Sequence, residues 1–337
     1  MRKFRKHAGI VAGLLALSLI AAACGGGDDN GDTGDRESPA VSGSINISGS
    51  STVEPITSLV AEKFQGANPE VEIAVDGPGT SDGFELFCDG KTDISDASRQ
   101  IEKEELAACA ENDIEPIEIE VALDALSVIG NPANSVTCLA FGDLYALFGP
   151  ESEGFDNWAD AEELATEVGG NGGFPDAPLT IVAPGEESGT YGSFIEITLG
   201  DIVEEREADE ALRPDYQGSP DDNVIIDNAA GTESRLGFVG FAFAANAGES
   251  VKSFEIDGGD GCVAPSEENV VNGTYPISRS LYIYVNPNKV TENPALASFV
   301  DYYLSDEGIA SAVEVQYFAL PADRLDASRS AWESAAA

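Results

Sequence analysis

The sequence predicts an α/β protein of two lobes joined by a hinge, and three observations carry that expectation. Short alternating apolar segments recur between amphipathic ones with brief connections, the pattern of a largely parallel sheet covered on both faces by helices. A chain of 337 residues favours two lobes over one. The stretch 117–129 changes periodicity halfway along, as a strand does when it leaves one sheet and enters another.

The first 23 residues stand apart. A basic start (Arg2, Lys3, Arg5, Lys6), an apolar stretch from Ala8 to Ile20 and then Ala21-Ala22-Ala23-Cys24 read as an export signal. Small residues and no basic flank follow it, which argues against a membrane span. Cys24 after three alanines resembles a bacterial lipobox, whose cysteine is lipidated and becomes the mature N-terminus. Residues 24–42 are rich in Gly and Asp without apolar periodicity, a flexible tether that places the body just outside the membrane.

In the body, Ile45 and Ile47 mark a strand, and GSSTVEP opens a helix with Val53, Ile56, Leu59, Val60 and Phe64 on one face. Gly66 and Pro69 stop it. Val71, Ile73 and Val75 form the next strand, GPGTSDG leads into a helix carrying Phe84, Leu86 and Phe87, and TDISDASR is a strand ending in a polar turn before the helix of IEKEELAACAEN. After the long stretch 117–129, a second αβ unit holds FGDLYALFG, a turn with Trp158, strand, loop and helix in LTIVAPGEESGTYGSF, and a strand in GFVGFAFAAN. PISRSLYIYVNP reads as a strand returning to the first lobe, partnered by a helix bearing Leu296, Phe299, Val300, Tyr303 and Leu304. The lobes expected are 43–126 plus 277–337, and 127–276.

Charge and rare residues exclude whole classes. With 17 Lys+Arg against 61 Asp+Glu, the net charge is -44, and a nucleic-acid partner, which needs clustered bases, is not expected. The hydrophobic fraction of 42% is ample for a core, so the acidity does not signal disorder. Removal of residues 1–23 takes four bases and His7, the only histidine. The mature chain then has no Ser-His-Asp triad and no histidine metal ligand, and no metal or cofactor is expected. Cys88, Cys109, Cys138 and Cys262 remain, an even number in an exported chain, so two disulfides are expected. Three pairings are open. Cys88 with Cys109 and Cys138 with Cys262 is favoured, because the first pair brackets one strand-helix unit.

Three segments share a chemistry: Gly49-Ser50-Ser51-Thr52, Gly79-Thr80-Ser81-Asp82-Gly83 and Ser188-Gly189-Thr190, each before a helix. Each offers hydroxyls and free N–H groups at a helix N-terminus, where tetrahedral oxyanions bind. One alone would be an ordinary cap. Three, two in the first lobe and one in the second, suggest a shared site between lobes.

These segments, with TDISDASR, ALDALSVIGNP, DLYALFG, GFVGFAF and YPISRSLYIYVNP, make the chain from Ile45 to Pro321 resemble the substrate-binding proteins of bacterial phosphate ABC importers. The resemblance implies a class II periplasmic-binding-protein fold with the ligand in the interlobe cleft, inorganic phosphate as ligand, permease subunits as partners, and a monomer anchored outside the cytoplasmic membrane through Cys24. It implies that Ser51, Thr52 and Ser81 in the first lobe and Ser188, Gly189 and Thr190 in the second contact phosphate, with Ser98 and Arg99 in the turn after TDISDA. Where some members carry an arginine four residues before the SGT serine, this chain has Pro184, which leaves Arg99 as the sole guanidinium identified. An acceptor for the phosphate proton, which fully ionised sulfate lacks, is sought among Asp124, Asp82 and Glu187, with Asp124 preferred.

Two other classes compete. GTSDG matches the Gly-x-Ser-x-Gly elbow of secreted hydrolases by letter, but neither histidine nor adjacent lysine offers a base, and SGT lacks a Walker lysine. A surface adhesin or scaffold on the same fold is the third reading. Phosphate binding without turnover separates the binding protein from both.

Overall fold

The computed structural model describes residues 41–186 and 188–336. The expected export signal, Cys24 and all but the last two residues of the expected tether lie outside them.

β1 (Gly43–Gly49) leads into α1 (Glu54–Ala67), whose Pro55 sits in the first turn, where its missing N–H costs nothing. Val53, Ile56, Val60 and Phe64 recur at helical spacing and are all buried. β2 (Val71–Asp76) runs into α2 (Thr80–Cys88) through Gly79, whose φ of 126° favours glycine. Gly83 packs α2 on the end of β1: a Cβ there would stand 2.4 Å from Gly49 Cα. β3 (Ile94–Ala97) is followed by α3 (Lys103–Glu111), capped by Glu105 accepting from the Glu102 N–H at 2.8 Å. β4 (Ile117–Gly130) then runs for 14 residues.

The second part holds β5 (Cys138–Ala140), α4 (Phe141–Phe148), α5 (Glu162–Glu167) and β6 (Thr180–Ala183). Next comes one continuous helical run: α6 (Gly189–Phe194), a π turn over Ile195–Leu199 and α7 (Gly200–Arg206). β7 (Gln217–Gly218), α8 (Asp222–Gly231), β8 (Arg235–Gly240), α9 (Phe241–Ala247), β9 (Lys252–Ser253), β10 (Glu255–Asp257), β11 (Cys262–Val263) and α10 (Glu267–Val271) follow. β12 (Ser278–Val285) returns to the first part, and α11 (Pro287–Glu292), α12 (Pro294–Tyr303), α13 (Asp306–Glu314) and α14 (Ala322–Ala336) complete the described chain. GFVGFAFAAN is therefore not one strand. Pairing stops at Gly240, and the alanine-rich run after it, free of β-branched residues, turns helical.

The main sheet has the order β2-β1-β3-β12-β4-β8-β6-β7, with β9 also on β4. β4 pairs with β12 as far as Ala125 and with β8 from Leu126, the change of partner that its altered periodicity predicts. The sheet is less parallel than expected. β1 runs parallel to β2 and β3, and β6 to β7 and β8, but β12 is antiparallel to both its neighbours and β4 to β8. The reason is connectivity: β4 carries the chain out of the first lobe and β12 brings it back, so they must run in opposite senses.

Separate cores underlie the lobes. One packs Ile45, Ile47, Val60 and Phe64 against Leu296, Phe299, Val300 and Tyr303. The other packs Phe148, Trp158, Phe194 and Phe238, with Phe194 stacked on Phe238 at 3.9 Å between ring centroids, which seats α6 against β8. Burying each such side chain stabilises by about 1.5–3 kcal/mol. The disulfides are the favoured pair: Cys88–Cys109 joins α2 to α3, and Cys138–Cys262 pins the three-stranded sheet of β11, β10 and β5.

Candidate functional site

Asp124 on β4 lies opposite Arg279 on β12, and both side chains are largely buried. Arg279 Nε is 3.6 Å from Asp124 Oδ2. Its Nη2 donates to Thr52 Oγ1 and to Ser193 Oγ, each at 3.1 Å, and its Nη1 pairs with Glu196 Oε2 at 2.7 Å. The two hydroxyl oxygens are themselves 3.2 Å apart. One guanidinium thus gathers the turn before α1, helix α6, the π turn and β4.

Arg279 corrects the sequence reading, in which Arg99 was the sole guanidinium near the site. The sequence did show Arg279 between two serines at the start of the apolar strand SRSLYIYV. Its side chain meets Thr52 and Ser193 only through the register of β12 on β4, which the pattern of residues does not reveal. Ser193 and Glu196, four and seven residues beyond Gly189, were missed for the same reason.

Arg99 has its own partners. Nη1 and Nη2 hold the Glu105 carboxylate in a fork, both at 2.8 Å, Nη2 also donates to Ser81 Oγ at 3.0 Å, and the guanidinium lies over the Phe84 ring. The hydrogen bond with Glu105 holds the Arg99 pKa above its ordinary value, assisted by the charges of Glu105, Glu102 and Glu196. Burial works to raise the Glu105 carboxyl, but the bonds from Arg99 and the Glu102 N–H outweigh it and hold it low.

Ser51, Ser81 and Arg99 line one cavity of about 400 Å³, together with Thr80, Asp82, Gly192, Glu196 and Glu210. Ser188 and Gly189 line an adjoining space of about 290 Å³ that shares Ser51 and Gly192 with the first. Thr52 and Ser98 are buried beside these spaces. Ser98 Oγ donates to Glu196 Oε1 at 3.0 Å and lies 3.0 Å from Thr80 Oγ1. The Thr190 N–H is taken by Ser188 Oγ at 3.2 Å, an N-cap bond, and Thr190 lines neither space. Glu187 lies outside the described residues.

Burial pushes the Asp124 carboxyl upward in pKa, with Arg279 pulling the other way. Its Oδ2 has no hydrogen-bond partner among the described residues. Asp96, on β3 beneath α1, is fully buried and raised to about 8 by desolvation, the bond from Thr57 opposing the shift only in part. Cys138 and Cys262 approach Glu255 closely enough to suggest a metal site, but they are joined as a disulfide and offer no thiolate.

A sheet shared by two lobes, with hydroxyl-bearing helix starts and a buried arginine between them, defines the class of protein. The chain belongs to the PBP superfamily, whose domain matches residues 34–307. It is 39% identical to protein SphX of Synechocystis sp. over 281 residues, 82% of this chain and 79% of that one. To the phosphate-binding protein PstS of Staphylococcus saprophyticus it is 30% identical over 311 residues, 91% and 88% of the two chains. A solved structure, a "possible phosphate binding protein" from Planctomyces limnophilus, superimposes with a TM-score of 0.79 at 31% identity, covering 88% of this chain and 99% of that one. The resemblance carried by the sequence motifs is borne out by these relatives.

Proposed function

We propose that this protein captures inorganic phosphate between its lobes and delivers it to the membrane permease of an ABC importer. The observation that carries this reading is the Arg279 guanidinium, largely buried and bonded at once to Thr52 and Ser193 beside Asp124. A buried guanidinium with two hydroxyls on one nitrogen presents charge and neutral donors together, which suits a small oxyanion able to compete with the neighbouring carboxylates. The relatives named for phosphate binding support the choice of anion.

In this reading Ser51, Thr52, Ser81, Ser98, Ser188, Gly189 and Thr190 supply neutral donors, and Arg99 and Arg279 supply charge. Charge-assisted hydrogen bonds of about 1.5–3 kcal/mol each reach the roughly 8 kcal/mol of a micromolar Kd with several contacts, after closure costs. The acidic body repels anions, but at physiological ionic strength a Debye length of about 8 Å screens its distant carboxylates. Asp124 accepts the proton of hydrogen phosphate, which sulfate does not carry. The lobes, 43–126 plus 277–337 and 127–276, close about the crossings at β4 and β12. Export, lipidation at Cys24 and a monomeric state complete the proposal.

Hydrolysis by the GTSDG serine has a specific observation against it. Ser81 Oγ accepts from Arg99, a group that cannot take a proton from a nucleophile. Calorimetry of ligand-stripped protein with phosphate, sulfate and molybdate tests the reading. One-to-one phosphate binding without turnover is expected; tight sulfate binding with none of phosphate overturns it.

A further inference from the structure

Both guanidiniums of the site are already committed to carboxylates. Arg99 is forked onto Glu105. Arg279 gives Nη2 to Thr52 and Ser193, faces Asp124 with Nε, and gives Nη1 to Glu196. An arriving anion therefore competes with these carboxylates for the same guanidiniums.

The carboxylates differ in what leaving would cost. Asp124 is 5% exposed, Glu105 18% and Glu196 42%. Removing Asp124 or Glu105 would break a pair within the first lobe. Glu196 comes from the opposite side, on the π turn that continues α6, and it lines the cavity itself. Its two oxygens divide between two first-lobe donors: Oε2 takes Arg279 Nη1 at 2.7 Å, and Oε1 takes the Ser98 hydroxyl at 3.0 Å. One guanidinium and one hydroxyl are also the donors that two oxygens of a phosphate would use. Glu196 sits in the π turn over Ile195–Leu199, and such irregular turns inside helices occur frequently at functional sites.

We propose that the Glu196 carboxylate is an internal substitute for the ligand: it bridges Arg279 and Ser98 across the cleft, and phosphate binds by displacing it. The inference rests on the phosphate reading of the site and adds to it a residue that sets the affinity by competing. The Glu196 end of the pair is exposed although Arg279 is largely buried, so water competes for the carboxylate; the site is competent for only part of the time, and the apparent Kd is the intrinsic one divided by that fraction.

The test pairs Glu196→Gln and Glu196→Ala with the unaltered protein, all stripped of ligand, in two measurements. In titration calorimetry with inorganic phosphate, both variants are expected to bind about three- to tenfold more tightly; equal or weaker binding overturns the proposal. In small-angle scattering without phosphate, loss of the bridge is expected to raise the radius of gyration in both variants, and an unchanged radius overturns it too. If the unaltered protein binds no phosphate, the phosphate reading falls, and the scattering alone then decides whether Glu196 bridges the lobes.

Discussion

Arg279 and Asp124 are direct cross-strand partners, so the antiparallel register of β12 on β4 brings guanidinium and carboxylate together between the lobes. The pair stands one residue before the point where β4 changes its neighbour from β12 to β8. The charge and the crossing are built from the same few residues.

Arg279→Ala is expected to weaken phosphate binding by roughly 2–5 kcal/mol, the range for truncating one partner of a buried charge pair. Arg279→Lys should recover only part, because an ammonium keeps the charge but cannot serve Thr52, Ser193 and an anion in one plane. Calorimetry of the two variants decides it; normal binding by the Ala variant would remove Arg279 from the site.

Arg99→Ala should behave differently. Its fork to Glu105 ties the turn after β3 to α3, so a stability loss of about 1 kcal/mol is expected, with a smaller affinity loss than at Arg279. Melting curves and titrations on the same samples separate the two effects. An affinity loss equal to that of Arg279→Ala, with unchanged melting, would contradict the ranking.

Asp96 predicts a pH dependence. Its folded-state pKa of about 8 lies above the ordinary carboxylate value, so between about pH 4 and 8 the folded state holds a proton that the unfolded state releases. Stability is therefore greatest at the acidic end and falls as pH rises, by at most about 1.4 kcal/mol per unit from this group. Asp96→Asn should flatten that slope in denaturant melts between pH 5 and 7.5; parallel curves for the two proteins would refute it.

The disulfides should differ in weight. Cys138–Cys262 spans 124 residues and Cys88–Cys109 spans 21. In the chain-entropy account they contribute about 5 and about 3 kcal/mol. Paired serine variants compared by chemical denaturation test the order.

Much of the fold was legible because burial writes a period into the chain: the β4 stretch announced its change of sheet, and Val53, Ile56, Val60 and Phe64 announced the buried face of α1. GFVGFAFAAN misled because Gly-Phe and Phe-Ala alternate in both halves, while only the first half pairs. The hydroxyl segments were visible as local motifs. Arg279, Ser193 and Glu196 were not, since Arg279 stands 86 residues from Ser193 and distant in the chain from Glu196 as well, and the Arg99 fork to Glu105 joins two residues that read as parts of separate local elements.

The sheet order β3-β12-β4 has a consequence for how the chain is made. β3 and β4 are synthesised early, yet they are not neighbours: the slot between them belongs to a strand that begins at Ser278. Until that strand emerges, both face the slot with unpaired edges, and no Arg279 is present to meet Asp124. A nascent chain that has not yet reached Ser278 thus has neither the central strand of its first lobe nor the Arg279–Asp124 pair, and both arrive together with β12.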